Sequence, residues 1–111
     1  MTGIRAQARL ETTTEIKRLA REQIASKGAA NLSLREIARG MGVASSALYR
    51  YFASRDQLLT VLIIESYDDI GDTVERADAN CSRDDLTGRW RAVSQSLRIW
   101  ALTNPSDYGL I

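Results

Sequence analysis

The stretch Gly40–Phe52, GMGVASSALYRYF, gathers Ser45, Ser46, Tyr49, Arg50 and Tyr51 and contains no acid. Hydroxyls donate hydrogen bonds and the guanidinium is a permanent cation. This set suits a polyanion, which a carboxylate here would repel. Ala44 and Ala47 are small, so Ser45 and Ser46 at a helix start would approach base edges closely and donate or accept there. Leu48 and Phe52, four apart, turn inward. Tyr49 and Tyr51 then flank the helix, and each phenol can pack its ring on the scaffold while its hydroxyl reaches a phosphate oxygen. Arg50 adds charge between them. Ser54–Arg55 begins a further helix, whose N-terminus attracts anions. Arg55 in that first turn opposes the helix dipole unless an anion sits beside it.

Other chemistry is poorly provided for. With no histidine, neither a Ser-His-Asp nor a Cys-His catalytic set can be built within the chain. One cysteine, Cys81, makes neither an intrachain disulfide nor a thiolate cage. An enzyme, a metal centre and a cofactor are therefore not expected, and a reducing compartment fits best. Asp68, Asp72 and Glu75 share one helix face beside Asp69. A solvated face, with Asp72 pairing to Arg76, is expected there rather than a metal site or an acid pair. Cys81 has no strongly activating neighbour and reads as a surface thiol.

The net charge of +1 hides a split. Through Arg55 there are ten basic residues against four acidic, a balance of +6; from Asp56 onward there are five against ten, a balance of −5. The basic half is the one expected to meet a polyanion. Arg5 and Arg9 suit a minor-groove arm, although a disordered tail is the stronger expectation. No apolar run is long enough to span a bilayer, and the polar N-terminus does not resemble a signal peptide.

The elements that position these groups are helical. Thr12–Glu15, Ser33–Glu36 and Ser54–Gln57 read as capping boxes. The first opens a helix with Ile16, Leu19, Ala20 and Ile24 inward, ended by Gly28. The second opens a short helix with Leu34, Ile37, Ala38 and Met41 inward, stopped by Gly40 and Gly42. A further helix follows from Val43, with Val43, Ala47, Leu48 and Phe52 inward. The third box opens a long helix in which VLII (61–64) is apolar all round and expected to be buried on several faces. Leu86, Trp90, Val93, Leu97 and Trp100 make the inward stripe of a fifth helix, and Asn104–Pro105 starts a sixth. Residues 33–52 thus form a helix-turn-helix, whose second helix enters the DNA major groove. The expected fold is all-α: a three-helix DNA-binding domain (1–57), joined by the long fourth helix to the start of a helical regulatory domain (58–111).

Residues 32–59, LSLREIARGMGVASSALYRYFASRDQLL, resemble the signature of the TetR/AcrR family of bacterial transcriptional regulators. The matching features are Ser33, Ile37–Ala38, Gly42–Val43, Leu48–Tyr49, Tyr51–Phe52 and Ser54–Arg55 before Leu58–Leu59. The resemblance implies a dimeric, cytoplasmic and nucleoid-associated repressor that binds a palindromic double-stranded operator and is released by a small-molecule effector. It implies base contacts from Arg35, Ser45 and Ser46, and phosphate contacts from Ser33, Tyr49, Tyr51 and Arg55, with Arg50 in either set. It places Trp90, Leu97 and Trp100 in the core that would hold the ligand. Tyr51 stands where a histidine is common, and Arg55 where a lysine is. Family members are usually much longer, so the helices that would make the homodimer interface and close the pocket are expected beyond this chain. The competing expectation is a helical protein-interaction module that keeps the scaffold without reading DNA.

Overall fold

The computed structural model describes residues 3–111, and every regular element among them is a helix. The chain divides into two compact units, one ending at Leu62 and one beginning at Ile63.

In the first unit, α1 runs Ile4–Lys27. It begins two turns before the box expected at Thr12. Thr12, Thr13 and Thr14 donate their hydroxyls to the carbonyls of Ala8, Arg9 and Leu10, four residues back, at 2.9, 2.8 and 2.9 Å. A threonine bonded in this way is accommodated inside a helix and does not cap one. Arg5 and Arg9 are therefore helical, which overturns the disordered tail. Arg18 bridges Glu15 and Glu22, at 2.6 Å to each, on the outer face. Ile16, Ala20 and Ile24 are buried. Gly28 ends the helix at φ 85°, a backbone that favours glycine, and donates its N–H to Ile24. A 3-10 turn, Ala29–Asn31, then delivers buried Leu32.

Helix α2 covers Leu34–Met41. Ser33 Oγ accepts the Glu36 N–H at 3.2 Å, as expected of a cap. Glu36 does not reach back: its carboxylate takes Lys27 Nζ at 2.8 Å. Gln23 replaces it, accepting the Ser33 N–H at 2.9 Å and donating to the Ser33 carbonyl at 3.1 Å. One amide thus satisfies both backbone groups of Ser33 from α1. Gln23→Ala is expected to cost about 1–2 kcal/mol for these bonds, read as a lower urea midpoint with an unchanged slope.

Gly40 does not stop α2, which continues to Met41. The stop is Gly42, at φ 72° and ψ 28°. Its N–H donates to Arg39 and the Val43 N–H donates to Ala38, the paired bonds of a Schellman ending. Val43 lies outside the helix and is 41% exposed, so it is not the inward residue expected. Helix α3 is a single turn, Ser45–Leu48, with Ala44 at its N-cap. The Leu48 carbonyl then accepts the N–H of both Tyr51 and Phe52. Leu48 and Phe52 are buried as the spacing required. Helix α4 runs Arg55–Ala79. Ser54 Oγ accepts the Gln57 N–H at 3.1 Å, and Gln57 Oε1 accepts the Ala53 N–H, closing the third box. Leu58 and Leu62 are fully buried. Ile64, however, is 54% exposed, so VLII is not covered on all sides.

In the second unit, α5 runs Leu86–Thr103, and Asp85 caps it by accepting the Gly88 N–H at 3.0 Å. Helix α6 runs Pro105–Leu110 with proline in its first turn. Asp78 ties the connection together, taking Arg83 and Arg89, each at 2.7 Å. The Arg89 guanidinium, and then that of Arg83, pulls the Asp78 carboxyl down to about 2. Cys81 is half-buried, with its sulfur near the Ala77 and Gly88 carbonyls. Among the described residues, no helix is long and apolar enough to cross a membrane.

Candidate nucleic-acid interface

The scaffold for the interface is the pair α2 and α3 with the turn that follows. Arg35 projects from the first turn of α2 and is exposed. Its obvious partner, Glu36, is held by Lys27, whose ammonium keeps the carboxyl below the usual carboxylate range. Arg35 consequently has no ion pair among the described residues. Ser45 and Ser46 occupy the first turn of α3, Ser45 half-buried and Ser46 exposed, and no side chain caps that helix. A simple capping role for these serines is thus absent. Tyr49 is 54% exposed, Arg50 is exposed and Tyr51 is half-buried. No acid lies between Glu36 and Asp56.

Two expected contacts are more constrained. Ser33 keeps its hydroxyl proton for a partner, since its Oγ already accepts from Glu36 and its N–H is taken by Gln23. Arg55 donates to the Ala30 carbonyl at 2.7 Å and lies 3.6 Å from Asp56. The dipole conflict foreseen for Arg55 is thus eased by the neighbouring Asp56, and the guanidinium helps fasten α4 to the 3-10 turn.

Arg9 joins this surface, which the spacing of the motif did not indicate. Its guanidinium sits over the Tyr51 ring, 4.8 Å from the centroid, and Nη2 donates to the Arg50 carbonyl at 3.4 Å. The signal available was the absence of any helix breaker between Gly3 and Lys27.

In the second unit, Trp90, Leu97 and Trp100 do not make one buried cluster. Trp90 is 74% exposed and Leu97 is 39% exposed, while Trp100 is buried. The Trp100 indole N–H donates to Asp69 Oδ2 at 2.6 Å, so Asp69 is not simply solvated. Asp72 receives Arg76 at its backbone carbonyl, not through the carboxylate pair expected. Among the described residues, no group of His, Cys, Asp or Glu is arranged to hold a metal.

A sequence profile for bacterial regulatory proteins of the tetR family matches residues 16–62, which include α2, α3 and the start of α4. The HTH-type transcriptional regulator Rv1816 of Mycobacterium tuberculosis is 44% identical over 98% of this chain and 47% of its own length. The HTH-type transcriptional regulator Mb1846 of Mycobacterium bovis matches to the same extent. The crystal structure of SCO4313, described as a regulatory protein, aligns with a TM-score of 0.83 at 44% identity, covering 95% of this chain and 49% of that one. The chain spans about half the length of the curated relatives it matches. With the helix-turn-helix formed and its signature residues placed on it, residues 16–62 form a domain of the tetR family of bacterial regulatory proteins.

Proposed function

We propose that this chain is the DNA-binding part of a ligand-responsive transcriptional regulator, a repressor that binds a palindromic operator as a homodimer and leaves it when a small molecule binds. The observation that carries the reading is the exposed surface that runs from the end of α2 through α3 and the following turn, free of acid between Glu36 and Asp56, where Arg35 and Arg50 have no ion pair among the described residues. Ser45, Ser46 and Arg35 read base edges, and Ser33, Tyr49, Arg50, Tyr51 and Arg55 hold phosphates, Arg55 only where its bond to Ala30 permits. The relatives' description as HTH-type transcriptional regulators supports the regulatory role. Exposed Leu86, Trp90 and Leu97 on α5 support association through the second unit. The effector site would draw on Trp90, Leu97 and Trp100 once further helices cover them.

Fluorescence-anisotropy titration with the DNA upstream of the protein's own gene, against scrambled DNA, tests this across a salt series. The expected result is tighter binding to the upstream DNA, with log affinity falling linearly against log salt. Tyr49→Phe is expected to weaken binding by about 1 kcal/mol through one lost phosphate bond, with stability unchanged. Equal binding to both DNAs, without salt dependence, would favour a protein-interaction module.

A further inference from the structure

We infer that the N-terminal turns of α1 extend the DNA-contacting surface, with Arg9 as a phosphate contact beside Tyr51 and Arg5 one turn farther along the same face. This rests on the DNA-binding reading above.

The family profile begins at Ile16, whereas α1 begins at Ile4. About three turns of helix therefore lie outside the matched domain. Going back from buried Ala20 and Ile16 by helical steps leads to Thr13, then Arg9, then Arg5. The stripe that packs the core thus ends in two arginines. Gln7 and Glu11, which bond each other at 3.3 Å, lie on the opposite face. Neither arginine has an ion pair among the described residues.

Arg9 is nevertheless held. The Tyr51 ring and the Arg50 carbonyl, 41 positions away in sequence, fix its guanidinium against two of the proposed phosphate contacts. One Nη2 bond to a carbonyl leaves other N–H groups of the fork to donate. A cation seated over a phenol whose hydroxyl bonds a phosphate lies within reach of that phosphate or its neighbour. The extension is a helix roughly 10–12 Å across, too wide for a minor groove of about 6 Å. It therefore meets the backbone, as opposed to entering the groove as an extended arm would.

Phosphate contacts are independent of sequence, so a short labelled duplex of mixed sequence is the probe. Its affinity for the 111-residue chain and for Arg9→Gln, Arg9→Lys and Arg5→Gln is measured across a salt series, with unfolding midpoints of each. Arg9→Gln is expected to make the log–log salt slope shallower by about 0.9 and to weaken binding about tenfold at low salt. Arg9→Lys is expected to restore the slope. An unchanged slope in Arg9→Gln, whatever its affinity, overturns the inference: Arg9 would then only position Tyr51. Should Arg9→Gln fail to fold, Arg5→Gln decides, because Arg5 makes no hydrogen bond or ion pair among the described residues. A shallower slope supports the inference and an unchanged one overturns it. Salt-independent binding by the parent chain overturns the DNA-binding reading and this inference together. Salt-dependent parent binding with unchanged variant slopes overturns this inference alone.

Discussion

Leu48→Ala is expected to lower the stability of the first unit by about 3 kcal/mol and to remove DNA binding with it. Leu48 is 1% exposed and sits at the end of the single turn that forms α3. A lone turn has no stability of its own in water, because nucleation is unfavourable and only tertiary packing offsets it. No side chain caps α3, so Leu48 anchors it twice: by its side chain in the core, and by a carbonyl that accepts from Tyr51 and Phe52. A unit of this size is worth only about 3–9 kcal/mol at typical stability per residue, so the loss is a large fraction. Leu48→Met keeps the volume and is expected to cost less than about 1.5 kcal/mol. Urea unfolding monitored by near-UV circular dichroism separates the two. A loss under about 1 kcal/mol for the alanine variant would mean that α3 is held by something other than this side chain.

What was legible in the sequence was local. Ser33, Gly42 and Ser54 with Gln57 mark helix ends through bonds within about four residues, Pro105 marks one by its fixed φ and missing N–H, and each does so in the structure. The buried positions Ile16, Ile37, Leu48 and Phe52 followed from spacing alone. The failures have identifiable physical causes. Thr12 followed by Glu15 has the form of a capping box, but the same hydroxyl also bonds four residues back inside a helix, and spacing cannot separate the two. Gln23, not Glu36, completes the Ser33 cap, because Lys27 competes for the carboxylate across the fold. Asp69 and Trp100 meet from 31 positions apart, and Arg9 meets Arg50 from 41. The α5 stripe had the right period, yet Leu86 and Trp90 remain exposed, since a periodic face shows what a helix can bury and not what covers it. At the candidate interface the residue types were readable, but the engagement of Arg55 and Ser33 within the fold was not.

Ser46→Glu is expected to move stability and DNA binding in opposite directions. Ser46 is exposed in the first turn of α3 and makes no cap bond. A carboxylate there favours the helix dipole by about 0.3–1 kcal/mol, so the unfolding midpoint is expected to hold or rise slightly. The same charge would face the major groove and the phosphates beside it. Like charges brought together at an interface cost several kcal/mol, so affinity is expected to fall by at least about 100-fold. Ser46→Ala, which removes a hydroxyl without adding charge, is expected to cost about 1 kcal/mol of binding at most. The contrast matters because most substitutions that weaken binding also weaken the fold, and the two are then hard to separate. A protein at least as stable that no longer binds has lost the interface and not the fold. Unchanged affinity in Ser46→Glu would place α3 away from the DNA, leaving Arg35 and Arg50 as a solvated surface and moving the DNA-binding role to another face of the chain.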